Sequence, residues 1–109
     1  MSVLTPVQFS NVTAICKANI YFDGKVVSHA IELVDGSRKT LGLIYPGHYR
    51  FDTGAPELME LVAGACRVQV AGRGDWREYG AGDSFEVPGD AFFEIEVAAG
   101  IAEYVCSFK

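Results

Sequence analysis

Histidine and cysteine are scarce in this chain, and both shortages narrow its chemistry. The 109 residues hold two histidines, His29 and His48, and three cysteines, Cys16, Cys66 and Cys106. An odd number of widely separated cysteines fits neither a disulfide framework nor a Cys-x-x-Cys zinc site, so reduced thiols are expected. Long apolar runs are also missing. Hydrophobic residues make up 50% of the chain, yet charged side chains interrupt every stretch before the roughly 18 residues needed to cross a bilayer, and no membrane association is expected. Met1 to Gln8 carries no basic residue ahead of its apolar positions and no small-residue cleavage pattern. It does not read as a secretion signal, which makes the cytoplasm the expected location. Positive charge is short as well: 9 Lys and Arg stand against 14 Asp and Glu, a formal charge of −5. That balance is poorly suited to neutralising a nucleic-acid polymer. A small anion remains within reach, because Lys25, Arg38, Arg50 or His48 can dominate the field inside a cleft.

Helical periodicity is the last absence. Apolar residues recur instead every second position, in short segments separated by turn residues, which predicts an all-β protein. The predicted strands cover Val12 to Lys17, Lys25 to Leu33, Lys39 to Tyr45, His48 to Thr53, Leu58 to Val62, Cys66 to Val70, Asp83 to Val87, Phe92 to Val97 and Ile101 to Phe108. Asp35-Gly36, Pro46-Gly47, Gly64, Gly72 to Gly74, Gly80 to Gly82, Pro88-Gly89 and Gly100 punctuate them. Because successive side chains on a strand point to opposite sides, Tyr49, Phe51 and Thr53 share a face, as do Phe93, Ile95 and Val97, and Tyr104, Cys106 and Phe108. One domain is expected for this length, with residues 1–17 as an extension packed on it or pairing with it.

Gly82-Asp83-Ser84-Phe85-Glu86-Val87-Pro88-Gly89 is a turn into a strand, a strand, and a Pro-Gly turn out of it. With the following residues up to Phe93 it resembles the second cupin motif. Upstream, Phe51, Thr53, Glu57 and Gly64 have the spacing of the first cupin motif. The resemblance implies a single-domain, cupin-type (jelly-roll) antiparallel barrel. In metal-bearing cupins, three histidines and a carboxylate converge inside the barrel; here Phe51, Thr53 and Phe93 stand at the histidine positions and only Glu57 remains. One carboxylate cannot supply the three or four ligands of a transition-metal site, so no metal is expected.

A more specific resemblance spans residues 18 to 108. It is carried by Asn19 to Val26 (NIYFDGKV), Arg38, Thr40 and Gly42, by Pro46 to Phe51 (PGHYRF) with Thr53, Pro56, Glu57 and Met59, and then by Trp76, Tyr79, Ala81-Gly82, Phe85, Val87 to Gly89, Phe93, Tyr104 and Cys106. These residues are similar to the small cupin-type pyrimidine/purine nucleoside phosphorylases. The resemblance implies phosphorolysis: a nucleoside and inorganic phosphate give the free base and a pentose-1-phosphate, with broad acceptance of bases, no cofactor, and phosphate as co-substrate. A homodimer is expected by analogy with other small cupins.

Such a reaction needs a phosphate anchor, a group for the ribose hydroxyls and stabilisation of a cationic sugar. Arg38 and Lys25 are the candidates for phosphate. Glu57 is the candidate for the sugar, with Thr53 and Tyr49 supplying hydroxyl groups and Tyr104 on the same side of its strand. Phe51 and Phe93 offer flat surfaces to a base. His48 and Arg50 fall on the opposite face and are left out, and Cys106 reads as an inert buried thiol. The competing expectation is a metal-free cupin module that binds a sugar or nucleoside-like molecule without turning it over. A metal-dependent oxygenase or isomerase is disfavoured by the missing histidines.

Overall fold

The computed structural model describes residues 6–72 and 74–108; Met1 to Thr5 of the expected N-terminal extension lie outside the described residues. Alternation of apolar and polar side chains is realised as eleven strands: β1 (Thr13–Ala14), β2 (Asn19–Tyr21), β3 (Val26–Glu32), β4 (Arg38–Ile44), β5 (Gly47–Asp52), β6 (Glu57–Ala63), β7 (Ala65–Val70), β8 (Arg77–Gly80), β9 (Ser84–Val87), β10 (Phe92–Val97) and β11 (Ala102–Phe108). A single 3-10 turn, Phe22–Gly24, links β2 to β3.

All pairings are antiparallel. The larger sheet runs β1-β3-β4-β11-β6-β9, with β2 beside β1 on the same edge of β3, and the smaller runs β5-β10-β7-β8. This is the expected jelly-roll arrangement, with one difference: among the described residues no ladder joins the two sheets, so the barrel is an open sandwich. The chain crosses between sheets through Tyr45-Pro46, where the proline has no N–H to continue a ladder.

The core lies between the sheets. Val26 and Ile44 from β3 and β4, Met59 and Leu61 from β6, and Tyr104 and Cys106 from β11 face Tyr49, Val68, Phe93, Ile95 and Val97 of the small sheet. Burying an aliphatic side chain of this size contributes about 1.5–3 kcal/mol each. The small sheet turns charge outward in cross-strand pairs, His48 to Glu94 at 2.7 Å and Arg67 to Glu96 at 2.5 Å, and Trp76 packs edge-on to His48 beneath the Arg67 guanidinium.

Strand β11 departs from simple alternation. Its outer residues Val105 and Ser107 are buried as fully as its inner ones. Residues Pro6 to Phe9 lie across this outer face beside Leu41, Leu43, Val62 and Val105, and Thr13 and Ala14 pair with the edge of β3. Two strands have no counterpart in the sequence reading: β2 is three residues long, too short to show alternation, and β8 is a mostly polar edge strand.

A candidate active site at one end of the sandwich

A cavity of about 510 Å³ opens between the sheets, within the usual range for small-molecule sites. Its walls are aromatic: Tyr21 ends β2, Phe22 opens the turn into β3, and Phe51 comes from β5, Phe93 from β10 and Phe108 from β11. Phe51 is the hub of these rings. Phe93 stacks on it at 5.5 Å with 25° between planes, while Phe22 and Tyr21 meet it edge-on at 5.5 and 6.2 Å.

The floor is polar. Glu57, at the start of β6, sits between Phe108 of β11 and Val87 of β9. Its half-buried carboxylate accepts a hydrogen bond from the Cys106 thiol, with Sγ 3.5 Å from Oε1. Burial raises the Glu57 carboxyl above its ordinary value, and the thiol contact partly offsets this. The Cys106 thiol is pushed far up by burial and by the neighbouring Glu57 charge, so it stays protonated and donates. Burial likewise holds the Tyr104 phenol neutral, reinforced by Cys106, Tyr21 and Glu57 and opposed by a hydrogen bond with Ser28. The buried Ser28 hydroxyl in turn accepts from Asn19 Nδ2 at 3.3 Å. The result is one carboxylate flanked by two neutral donors.

Two local features set this geometry. Tyr104 lies flat across β4 because position 42 is glycine: a Cβ there would collide with the ring and its hydroxyl. The loop before Glu57 is tied down by Thr53, whose hydroxyl donates to Pro88 O at 2.7 Å and accepts from Ala91 N at 3.0 Å. The backbone follows suit, with Thr53 N bonded to Ala91 O and Asp90 N to Gly54 O.

The expected site residues thus fall into groups. Glu57, Phe51, Phe93 and Tyr104 line the cavity together. Thr53 lies behind it with its hydroxyl engaged in the loop contact. Tyr49 is also behind, its hydroxyl directed at Tyr45 O (2.8 Å) and Pro46 O (3.0 Å). Arg38 is exposed at the start of β4, two residues along the strand from the cavity-lining Thr40 and on the same face, but does not itself line the cavity. Lys25 is exposed just after the 3-10 turn and does not line the cavity. Arg50 and Asp52, set aside by alternation, do reach its edge; the Arg50 guanidinium covers the Phe92 ring at 3.9 Å and approaches Asp52 at 3.4 Å. Tyr21, Phe22, Ser28 and Thr40 were not anticipated. Small hydroxyl residues on the otherwise apolar inner rows of β3 and β4, and an aromatic pair before an Asp-Gly turn, are the signals that mark them.

The link carrying Tyr21 and Phe22 is strained. Phe22, Asp23 and Gly24 follow one another in left-handed backbone, with φ of 52°, 56° and 87°. A non-glycine residue costs about 1–2 kcal/mol in that region, so two in a row mark a segment held by its surroundings.

Among the described residues no three His, Cys, Asp or Glu side chains gather into a metal-binding cluster, and no helix is long and apolar enough to cross a membrane.

The fold and the cavity define the chain as a cupin-type protein whose cavity has a carboxylate at its floor and a ring of aromatics around it. The same architecture appears in oxalate decarboxylase from Bacillus subtilis, with a TM-score of 0.72 at 15% identity, over 97% of this chain and 31% of that one. A protein of unknown function from Acinetobacter sp. ADP1 superposes with a TM-score of 0.90 at 42% identity, over 94% and 98% of the two chains. The family model for pyrimidine/purine nucleoside phosphorylase matches residues 16–108. Curated relatives of that name include those of Cupriavidus metallidurans, 55% identical over 93% of this chain and 97% of the relative, and Thiobacillus denitrificans, 56% identical with the same coverage. The chain belongs to the pyrimidine/purine nucleoside phosphorylase family.

Proposed function

We propose that this protein catalyses reversible phosphorolysis of purine and pyrimidine nucleosides, using inorganic phosphate and no metal or organic cofactor. The observation that carries the reading is the Glu57 carboxylate at the floor of an aromatic cavity, beside the neutral donors Tyr104 and Cys106.

In the reaction, a phosphate oxygen forms a bond to C1′ of the pentose as the C1′–N bond breaks. The bonding electrons leave with the base, which takes up the proton that the hydrogen phosphate gives up on bonding to C1′. Positive charge accumulates on the sugar between these events, and a fixed carboxylate beside it lowers the barrier because it need not reorganise. Glu57 fills that role, and the Tyr104 hydroxyl, fixed by Ser28 and by the glycine at 42, donates to a sugar oxygen. Arg38, exposed at the start of β4 on the face of the cavity-lining Thr40, is the anchor for phosphate, its planar fork matching two oxygens. Thr53 and Tyr49 act at one remove, Thr53 by fixing the loop that delivers Glu57 and Tyr49 by holding the Tyr45-Pro46 corner. Broad base acceptance follows from walls that offer ring faces and edges, since every base has a face to present to them. A homodimer, expected by analogy with other small cupins, and a cytoplasmic location belong to the same reading.

The test is to incubate chelator-treated protein with uridine and with guanosine, each with and without phosphate, and to separate the products. Free base and pentose-1-phosphate formed only with phosphate are the expected outcome. Retention of both nucleosides intact would replace the enzyme with a binding module.

A further inference from the structure

Phe51 and Phe93 are the flat surfaces that the sequence offers to a base, but their geometry leaves little for a ligand. Phe93 is 3% exposed, with one face against Phe51 and Phe85 at its other side. Phe51 is crowded by three rings. The open aromatic surface of the cavity belongs instead to Tyr21 and Phe22, each 45% exposed, and to Phe108, 40% exposed and paired beside Glu57 at the floor, which leaves Tyr21 and Phe22 as the open rings away from the carboxylate.

We propose that Tyr21 and Phe22 are the nucleobase-binding residues of this site, holding the base at the cavity mouth against the edge of Phe51. The inference rests on the phosphorylase reading and assigns specificity to two residues outside the catalytic floor. Three observations carry it. First, a half-exposed aromatic pair at a cavity mouth leaves apolar surface that the described residues do not cover. Second, the left-handed run at Phe22, Asp23 and Gly24, which reverses the chain from β2 into β3, sets Phe22 against Phe51 and Tyr49. Strain kept at a cavity mouth, where an ordinary turn would connect the strands, is a feature of binding sites. Third, Tyr21 and Tyr104 line the same cavity. The aromatic pair and the polar floor thus open on one space, as a base and its attached sugar require.

The same placement accounts for loose base selectivity. Stacking on Tyr21 or Phe22 reads no hydrogen-bond edge, and of the aromatic wall only Tyr21 carries a polar atom.

The test is a kinetic comparison of wild type, Tyr21→Ala, Phe22→Ala and Phe22→Tyr in both directions of the reaction. Each alanine variant is expected to raise KM for the nucleoside, and for the free base in reverse, on the order of tenfold. KM for phosphate and for pentose-1-phosphate stays within about twofold, a change too small to mark a lost ring contact. Phe22→Tyr keeps a ring at the mouth and recovers most of what Phe22→Ala loses. Unchanged nucleoside KM in both alanine variants overturns the inference, as does an equal rise for nucleoside and pentose-1-phosphate, which would indicate general damage to the cavity. Should wild type show no turnover, the phosphorylase reading fails by itself. Calorimetric titration with uridine and guanosine then decides the subsite: loss of binding in Phe22→Ala supports it, and equal binding by all variants sinks it.

Discussion

Replacing Glu57 by Gln removes a negative charge while preserving shape and an acceptor for the Cys106 thiol, so its effects can be traced to charge alone. Fixed groups that stabilise transition-state charge are typically worth 10²- to 10³-fold in kcat, or about 2.7–4 kcal/mol. Glu57 is only half-buried and open to the cavity. Water therefore screens it in the free protein, and the lower end, about a hundredfold, is the appropriate expectation. Stability should move the other way. Burial raises the Glu57 carboxyl in the folded state, so the folded protein holds this proton more tightly than the unfolded chain. The resulting stabilisation is fully present below the unfolded value and is lost as pH rises through the raised folded value. Above that point the ionised carboxylate is a liability that Gln lacks. Glu57→Gln should thus melt higher than wild type at neutral pH, with the difference shrinking as pH falls through the carboxyl range. The assays are steady-state phosphorolysis and thermal melts across pH. An activity change below about threefold would remove Glu57 from the catalytic role, and a lower melting temperature for the variant at neutral pH would refute the burial argument.

Other consequences follow from the supporting contacts. Thr53→Val strips the hydroxyl from a nearly isosteric side chain and leaves Pro88 O and Ala91 N without their side-chain partner; a loss of about 1–3 kcal/mol is expected by denaturant titration, with kcat falling as the Glu57 loop loosens. Gly42→Ala forces the Tyr104 ring out of its groove, which should cost about 1–3 kcal/mol in chemical unfolding and raise KM for pentose-1-phosphate. Thiol labelling of the native protein should modify Cys16, which is exposed, far faster than Cys66 and Cys106, which are buried. Burial raises the Cys66 thiol to about 11, with Asp83 adding to the shift, so at pH 8 only one fast thiol is expected, and all three in denaturant.

Most of the fold was legible because period-two alternation is a direct image of a sheet with one face buried. The predicted strand over Phe92 to Val97 is β10 residue for residue, and seven of the others differ from the observed strands by one residue, three at one end and four at both. The reading failed where no alternation exists to be read. The predicted strand Val12 to Lys17 contracts to Thr13–Ala14, and β2 and β8 are short or polar. In the site, Glu57 was legible through motif spacing, and Phe51, Phe93 and Tyr104 through their strand faces. Alternation cannot report what lies across a loop, however. Thr53 shares the inward side of Phe51, yet its hydroxyl is engaged by a carbonyl 35 residues away. Tyr21 and Phe22 escaped for a different reason: three consecutive left-handed residues break the rule that neighbouring side chains point to opposite sides.

The division of one sheet edge between β1 and β2 also bears on how this chain behaves in a crowd. A long, flat, unpaired strand is a template on which another chain can add a strand of its own. Here the edge of β3 is occupied by one segment of two residues and another of three, with an interruption between them. The opposite edge is β9, four residues long, and the longest open edge of the smaller sheet is β5, whose outward positions are His48, Arg50 and Asp52. Each exposed border is therefore short, broken or polar, and a sandwich left open along its seams gives a neighbouring strand little continuous backbone on which to grow.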